Sequence, residues 1–393
     1  MSMGVHHDNF DLWDSKYQPR WNSVAMVPKK DIVGLFKQAA QKQGLKFAVS
    51  EHLAFSYVWW TVSHGSDKTG PLAGVPYDGA DPQYAELYHD YPKEFLVPEQ
   101  NNQPTRLPAP LAWRQHYFDR LKDLIDKYEP DLLYNDGGMV FPEVHYQLVS
   151  HLCNVSAKLH GGKVEAVYTS KGRKDSQIGT CVYDIERGVA DQIQPNPWQT
   201  DTCIGDWHYQ RDLFNRHQYK SAATVIPMLA DIVSKNGNLM LSVPVRGDGS
   251  IDSDEVKIVG DIGAWLKVNG EAIYATRPWT VFGEGPATKS FETGQFDGQR
   301  DADTKPFTPA DIRFTQSKDG RTLYALVLAF PADGKVTIQS LAENSASWPG
   351  KIGGVRMPGL RGKLKFTRDA NGLHVTLPDK KPCDIAFALK ITH

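Results

Sequence analysis

The stretch PDLLYNDGGM, residues 130–139, sets a short apolar run directly against a polar pair and two glycines. Leu132, Leu133 and Tyr134 read as a buried strand, and Asn135-Asp136 before Gly137-Gly138 marks its carboxyl end. Asp136 is therefore expected at a strand tip. In a chain that alternates strands and helices, such tips carry ligands and chemistry, because the strand is rigid and the loop above it free to vary. The competing reading is an Asp that caps the next helix.

Working outward, the alternation is regular. Residues 28–44 (PKKDIVGLFKQAAQKQG) predict a helix with Ile32, Leu35, Phe36, Ala39 and Ala40 on its inner face. LKFAVS (Leu45–Ser50) predicts a strand ending on Glu51-His52. Trp113, Tyr117, Leu121, Leu124 and Tyr128 share one helical face before Pro130, and Val144, Leu148 and Leu152 another. Further strands are expected at Lys163–Tyr168, from Cys181 to Glu186, at Cys203–Trp207 and at Asn238–Val243. Asp252 and Glu255 are spaced as a capping box for a helix whose inner face is Val256, Val259, Ile262 and Leu266. With a strand remnant before His6, seven strands are counted where a closed (β/α)8 barrel needs eight.

From about Pro278 the period changes to two. Turns at Asp319-Gly320 and Asn371-Gly372 predict antiparallel hairpins, hence a β-sandwich. The expected organisation is a (β/α) barrel domain over 1–284, lacking its first strand, and an antiparallel β-sandwich over 285–393. The segment from Phe55 to Pro110, with Trp59 and Trp60, is a long connection: a lid over the strand tips or a surface insertion.

A net charge of −2 with interspersed signs gives no basic patch, which argues against nucleic acid and anionic membranes as partners. Four scattered cysteines without a CxxC pair indicate neither a zinc site nor a disulfide framework. There is no long apolar run. Ten Trp, 16 Tyr and 16 Phe suit a cleft that takes small neutral molecules such as sugars, although most of these rings will be core.

Asp136 and Glu186 end different strands, and two carboxylates facing one cleft are the minimum for hydrolysing a glycosidic bond. A salt bridge or a helix cap is the competing reading of Glu186. His6-His7 raises the alternative of a metal-dependent barrel hydrolase. Neighbouring residues on a strand point to opposite faces, however, so both rings are not expected on one ion. No cofactor is expected.

HHDNFDLWDSKY (His6–Tyr17), LLYNDGG, DIERG, PWQTDTCIGDWHY and SKNGNLMLSVPVRGDGSID, in that order, resemble the α-L-fucosidases of glycoside hydrolase family 29. The resemblance runs from His6 to about Gly285, and TLYALVLAFP resembles that family's C-terminal domain. It implies a retaining exo-enzyme acting on fucosylated oligosaccharides or glycoconjugates through a covalent fucosyl-enzyme. By the same resemblance Asp136 is the nucleophile and Glu186 the acid/base. His6 and His7 are sugar-binding histidines, Tyr134 lines the pocket, and Glu51, His52 and Trp198 match more loosely. The family places a first strand, with another fucose-binding histidine, before the point matched by Met1. An N-terminally incomplete chain is therefore expected, with an inactive or fucose-binding remnant as the alternative function. A periplasmic or secreted location is implied by the family alone, and nothing in the sequence sets the oligomeric state.

Overall fold

The computed structural model describes residues 1–60, 69–89, 109–289 and 307–393. Much of the long connection, residues 61–68 and 90–108, lies outside the described residues, and with it the choice between lid and insertion. The chain divides into two compact units, Met1–Tyr183 and Asp184–His393.

In the first unit, β1 (Ser2–Val5) and α1 (Ile32–Lys42) lead to β2 (Ala48–Glu51). The short helices α2 (Ser56–Trp59) and α3 (Ala85–Tyr88) precede α4 (Leu111–Tyr128) and β3 (Leu132–Asn135). Then come α5 (Pro142–Leu159), β4 (Val167–Ser170), α6 (Arg173–Gln177) and the start of β5 (Val182–Glu186). The strands pair in parallel and in chain order. Val49 and Leu133 bury against Tyr117, Leu121 and Leu124 of α4 and Leu148 and Leu152 of α5. These helix faces are the ones the apolar spacing predicts.

The face of α1 is not. Val33 is fully buried, whereas Leu35 and Phe36 are about half exposed. The N-cap sets this rotation: Asp31 accepts from the Gly34 N–H and from the Tyr128 hydroxyl, and Val33 N–H donates to the Leu12 carbonyl. The strand expected at Lys163–Tyr168 lies several residues later, at Val167–Ser170.

The second unit carries the end of β5, then β6 (Trp198–Cys203), α7 (Arg211–Asn215), α8 (Ala222–Ser234), β7 (Gly237–Ser242) and α9 (Ser253–Asn269). β6 and β7 are parallel along their whole length. β6 corrects the strand expected at Cys203–Trp207. All six of its residues are buried although four are polar, since Gln199 donates to Asp184 (2.8 Å) and Thr200 to the carbonyls of Ile185 (2.8 Å) and Gly188 (2.7 Å). The Asp252–Glu255 capping box forms as expected. The face of α9 differs: Trp265 is buried, while Val256 and Val259 are exposed. The parallel strands follow chain order from β1 to β7, a TIM-like arrangement one strand short of the eight in a closed barrel.

The remaining strands are antiparallel. β8 (Thr276–Glu284), β9 (Ile312–Ser317), β10 (Thr322–Val327), β11 (Lys335–Ile338), β12 (Gly354–Arg356), β13 (Lys365–Asp369), β14 (Gly372–Thr376) and β15 (Phe387–Thr392) form two sheets. Their orders are β12-β15-β10-β9-β8 and β11-β14-β13. Phe314, Leu323, Phe387 and Leu389 from the larger sheet pack with Ile338, Leu373 and Val375 from the smaller, which makes a sandwich. β8 pairs with β9, so the strand just before residue 285 belongs by its hydrogen bonds to the sandwich. Among the described residues no helix is long and apolar enough to cross a membrane.

Candidate active site

At the carboxyl end of β3 the Asp136 carboxylate stands between two nitrogens. Nδ1 of His52 is 2.8 Å from Oδ2, Nζ of Lys171 is 2.6 Å from Oδ1, and the Tyr134 hydroxyl donates to Oδ1 at 3.4 Å. Burial pushes the Asp136 pKa up, but the contact and charge of His52 and then of Lys171 outweigh it and hold the carboxyl well below its usual range. Asp136 is thus an ionised group, a quarter exposed, at a rigid strand end.

The turn after it places Lys171. The Gly137 carbonyl accepts from the Lys171 N–H (2.7 Å) and the Ser170 hydroxyl (2.9 Å), tying the tip of β3 to the tip of β4. A Cβ at Gly137 would meet the Phe55 ring at 2.5 Å, so only glycine fits beneath that ring. Sequence reasoning missed Lys171 because it ended the β4 strand too early for residue 171 to count as its tip.

His6 and His7 follow the last residue of β1, Val5, so the alternation of a strand no longer governs them. Their ring centroids lie 4.5 Å apart, and His6 is 4.7 Å and His7 5.4 Å from His52. The expectation that the two rings face apart is therefore corrected: one nitrogen from each of the three lies within 4.8 Å of the others. Nδ1 of His7 is 2.8 Å from the His52 carbonyl, which can only accept, so the proton is on Nδ1 and the Nε2 lone pair is left as an acceptor. Burial first, then the neighbouring His6 and His52, push the His7 pKa down to about 4. Trp59, nearly half exposed, lies 4.5 Å from the His7 ring and forms an aromatic wall that sequence reasoning placed only in the long connection.

The histidine turn is anchored from behind. Asn9, at φ +65°, accepts on its side-chain oxygen from Arg120, whose guanidinium also binds Asp11. Arg120 and Asp11 are fully buried, and the Asn9 amide donates to the carbonyls of Glu86 and Leu87 at 2.9 Å each.

Glu51 does not reach this pocket. It is fully buried; Oε2 accepts from the Leu53 N–H (3.0 Å) and Oε1 lies 3.1 Å from the Tyr117 hydroxyl. That hydroxyl is also 3.1 Å from His145 Nε2, whose partner Nδ1 is held by the Phe141 carbonyl and so carries the ring proton. One tyrosine proton faces two acceptors, and the row is complete only when Glu51 is protonated. Burial accordingly pushes the Glu51 pKa up to about 7, against the Leu53 and Tyr117 donors, with Asp136 adding to the rise. Glu51 is a floor beneath the site rather than a sugar ligand.

In the second unit Glu186 is the exposed last residue of β5, a strand-tip carboxylate as expected. Trp198 departs from expectation. It opens β6 at the amino end, is 1% exposed, donates to the Lys235 carbonyl at 2.9 Å and packs against Gly237. These are the contacts of a core residue, and they take it away from the strand tips.

Known proteins resemble this chain in sequence and in fold. The alpha-L-fucosidase family model matches residues 1–271, and the alpha-L-fucosidase C-terminal domain model matches 304–392. Human tissue alpha-L-fucosidase is 25% identical over 98% of this chain and 70% of its own length, and the rat enzyme 24% identical over 98% and 71%. Among solved structures, Thermotoga maritima alpha-fucosidase in complex with a mechanism-based inhibitor superposes with a TM-score of 0.68. It has 24% identity and covers 100% of this chain and 74% of that one. A Bacteroides thetaiotaomicron GH29 alpha-L-fucosidase trapped as a covalent intermediate gives 0.65 and 15%, over 99% and 77%. With more than half of its length matched by the family model, the chain belongs to the alpha-L-fucosidase family and is a glycoside hydrolase.

Proposed function

We propose that the protein releases terminal α-L-fucose from fucosylated oligosaccharides or glycoconjugates with retention of configuration, through a covalent fucosyl-enzyme on Asp136. The observation that carries this reading is the Asp136 carboxylate, held ionised between His52 and Lys171 at the tip of β3. Asp136 attacks the anomeric carbon. Glu186, at the tip of β5, protonates the leaving oxygen and then takes a proton from the attacking water. The Nε2 lone pair of His7 accepts a sugar hydroxyl, His6 and the Tyr134 hydroxyl line the same pocket, and the Trp59 face covers the apolar side of the ring. The Bacteroides neighbour was captured as a covalent intermediate, which supports the same course here. Carboxylates alone carry the reaction, so it needs no cofactor.

The test is Asp136→Gly assayed with an aryl α-L-fucoside and azide. Turnover should fall by about a thousandfold or more, and azide should restore part of it as the β-fucosyl azide, a single inversion at the anomeric carbon. Normal hydrolysis by Asp136→Gly removes Asp136 from the nucleophile role. A rescued product of α configuration refutes the retaining course.

A further inference from the structure

Among the described residues, His6, His7 and His52 form the single group of three or more metal-ligating side chains that closes on one point, with one nitrogen from each within 4.8 Å of the others. We propose that these three histidines form a binding site for a divalent ion of the zinc–copper class, whose occupancy blocks the sugar pocket beside Asp136.

Three imidazoles suit zinc and copper better than the oxygen-seeking magnesium or calcium. The surroundings are those that fix metal-binding histidines. His7 gives its Nδ1 proton to the His52 carbonyl, which fixes the ring and leaves Nε2 as the nitrogen able to bind. The Nδ1 of His52 sits 2.8 Å from the Asp136 carboxylate, a carboxylate–histidine pairing that leaves Nε2 of that ring as donor. The distances are within reach. At the centre of a triangle with 4.8 Å sides an ion is about 2.8 Å from each corner, so each ring needs to move inward by about 0.7 Å to reach a zinc–nitrogen distance of about 2.1 Å. Three protein ligands would leave a fourth position open to water, facing the partly exposed side of the pocket. An ion there occupies the space that a sugar hydroxyl needs to reach His7, and it sets a positive charge beside the His52 ring that pairs with Asp136. The metal site therefore rests on the histidine cluster, and only its inhibitory consequence rests on the fucosidase reading.

The experiment uses the whole chain, stripped with EDTA and desalted. Zn²⁺ is titrated in by calorimetry, and Cu²⁺ is added for electron paramagnetic resonance. One equivalent of zinc should bind, and the copper spectrum should show coupling to three nitrogens. His7→Gln should weaken zinc by about tenfold or more, whereas His151→Gln, on α5 and paired with Asp126, should leave it unchanged. Circular dichroism and melting of His7→Gln check its fold, and the copper spectrum of the unaltered protein tests the ligand set even if that variant is unstable. In active protein, zinc should raise KM for an aryl fucoside, with EDTA reversing the effect. Absence of binding up to millimolar zinc, equal affinity in His7→Gln, or coupling to a single nitrogen overturns the site. A chain that binds one zinc at the cluster yet cleaves no fucoside upholds the site and counts against the catalytic reading instead.

Discussion

Glu51→Gln should make the protein more resistant to alkali while leaving the acid side unchanged. Glu51 titrates at about 7 in the folded chain against an ordinary 4.5, because its burial outweighs the two donors it receives. The sign follows from which state holds the proton. Between pH 4.5 and 7 the folded state keeps a proton that the unfolded state has lost, so stability falls as pH rises through that window and levels off above it. A displacement of this size corresponds to about 3 kcal/mol at 1.36 kcal/mol per pH unit. Glutamine reproduces the protonated acid: its amide oxygen accepts from Leu53 and its NH2 donates to the Tyr117 oxygen, freeing the tyrosine proton for His145. Thermal melts of both proteins at pH 4.5, 6 and 8, with EDTA present, should show near-equal midpoints at the lowest pH. At pH 8 the variant should lead by roughly 6–12 °C, at about 2–4 °C per kcal/mol for a unit of this size. A difference in midpoint that does not change with pH would refute the reasoning, since it would mean that Glu51 is charged in both states or neutral in both.

Glu186→Ala should reduce kcat/KM on a natural fucoside by about a hundredfold or more but far less on a dinitrophenyl fucoside, whose leaving group needs no proton; equal losses would remove Glu186 from the acid role. Lys171→Met should lower kcat/KM by roughly ten- to a hundredfold through a displaced Asp136 carboxylate, with the melting temperature little changed. Unaltered kinetics would show that His52 alone places the nucleophile. Trp198→Phe should cost about 1–3 kcal/mol of stability through the lost hydrogen bond to Lys235 and a small void, and leave KM for aryl fucosides as it was. A raised KM at unchanged stability would return Trp198 to the pocket.

The parts of the fold legible in the sequence are those where burial follows a period. Tyr117, Leu121 and Leu124 on α4, and Leu148 and Leu152 on α5, repeat at helical spacing because one face of each meets the sheet. The tip of β3 was legible for the same reason, an apolar run cut off by polar residues and glycines. β6 was not, because its buried residues are Gln199, Thr200, Asp201 and Thr202. Their partners, such as Asp184 and the Ile185 carbonyl, are supplied by a neighbouring strand that no local window contains. The rotation of α1 was lost likewise to a cap and a distant tyrosine. In the site itself, Asp136 could be found from its own surroundings. Lys171 could not, since its approach depends on a hydrogen bond to the Gly137 carbonyl across two strand tips. The histidine cluster was misjudged by carrying strand geometry one residue too far.

The Arg120 cluster has a consequence for anyone who would move this pocket to another scaffold. Residues 6–11 look like a portable sugar-binding loop, compact and rich in polar groups. Their shape is nevertheless held by a buried guanidinium on α4 and by two carbonyls of residues 86 and 87, far along the chain. A graft of the loop alone would bury Asp11 without its cation, which costs about 3–5 kcal/mol and is enough to let the loop swing out into water. The smallest transplantable unit is therefore the histidine loop together with α3 and α4, three distant segments that would have to be borrowed as one.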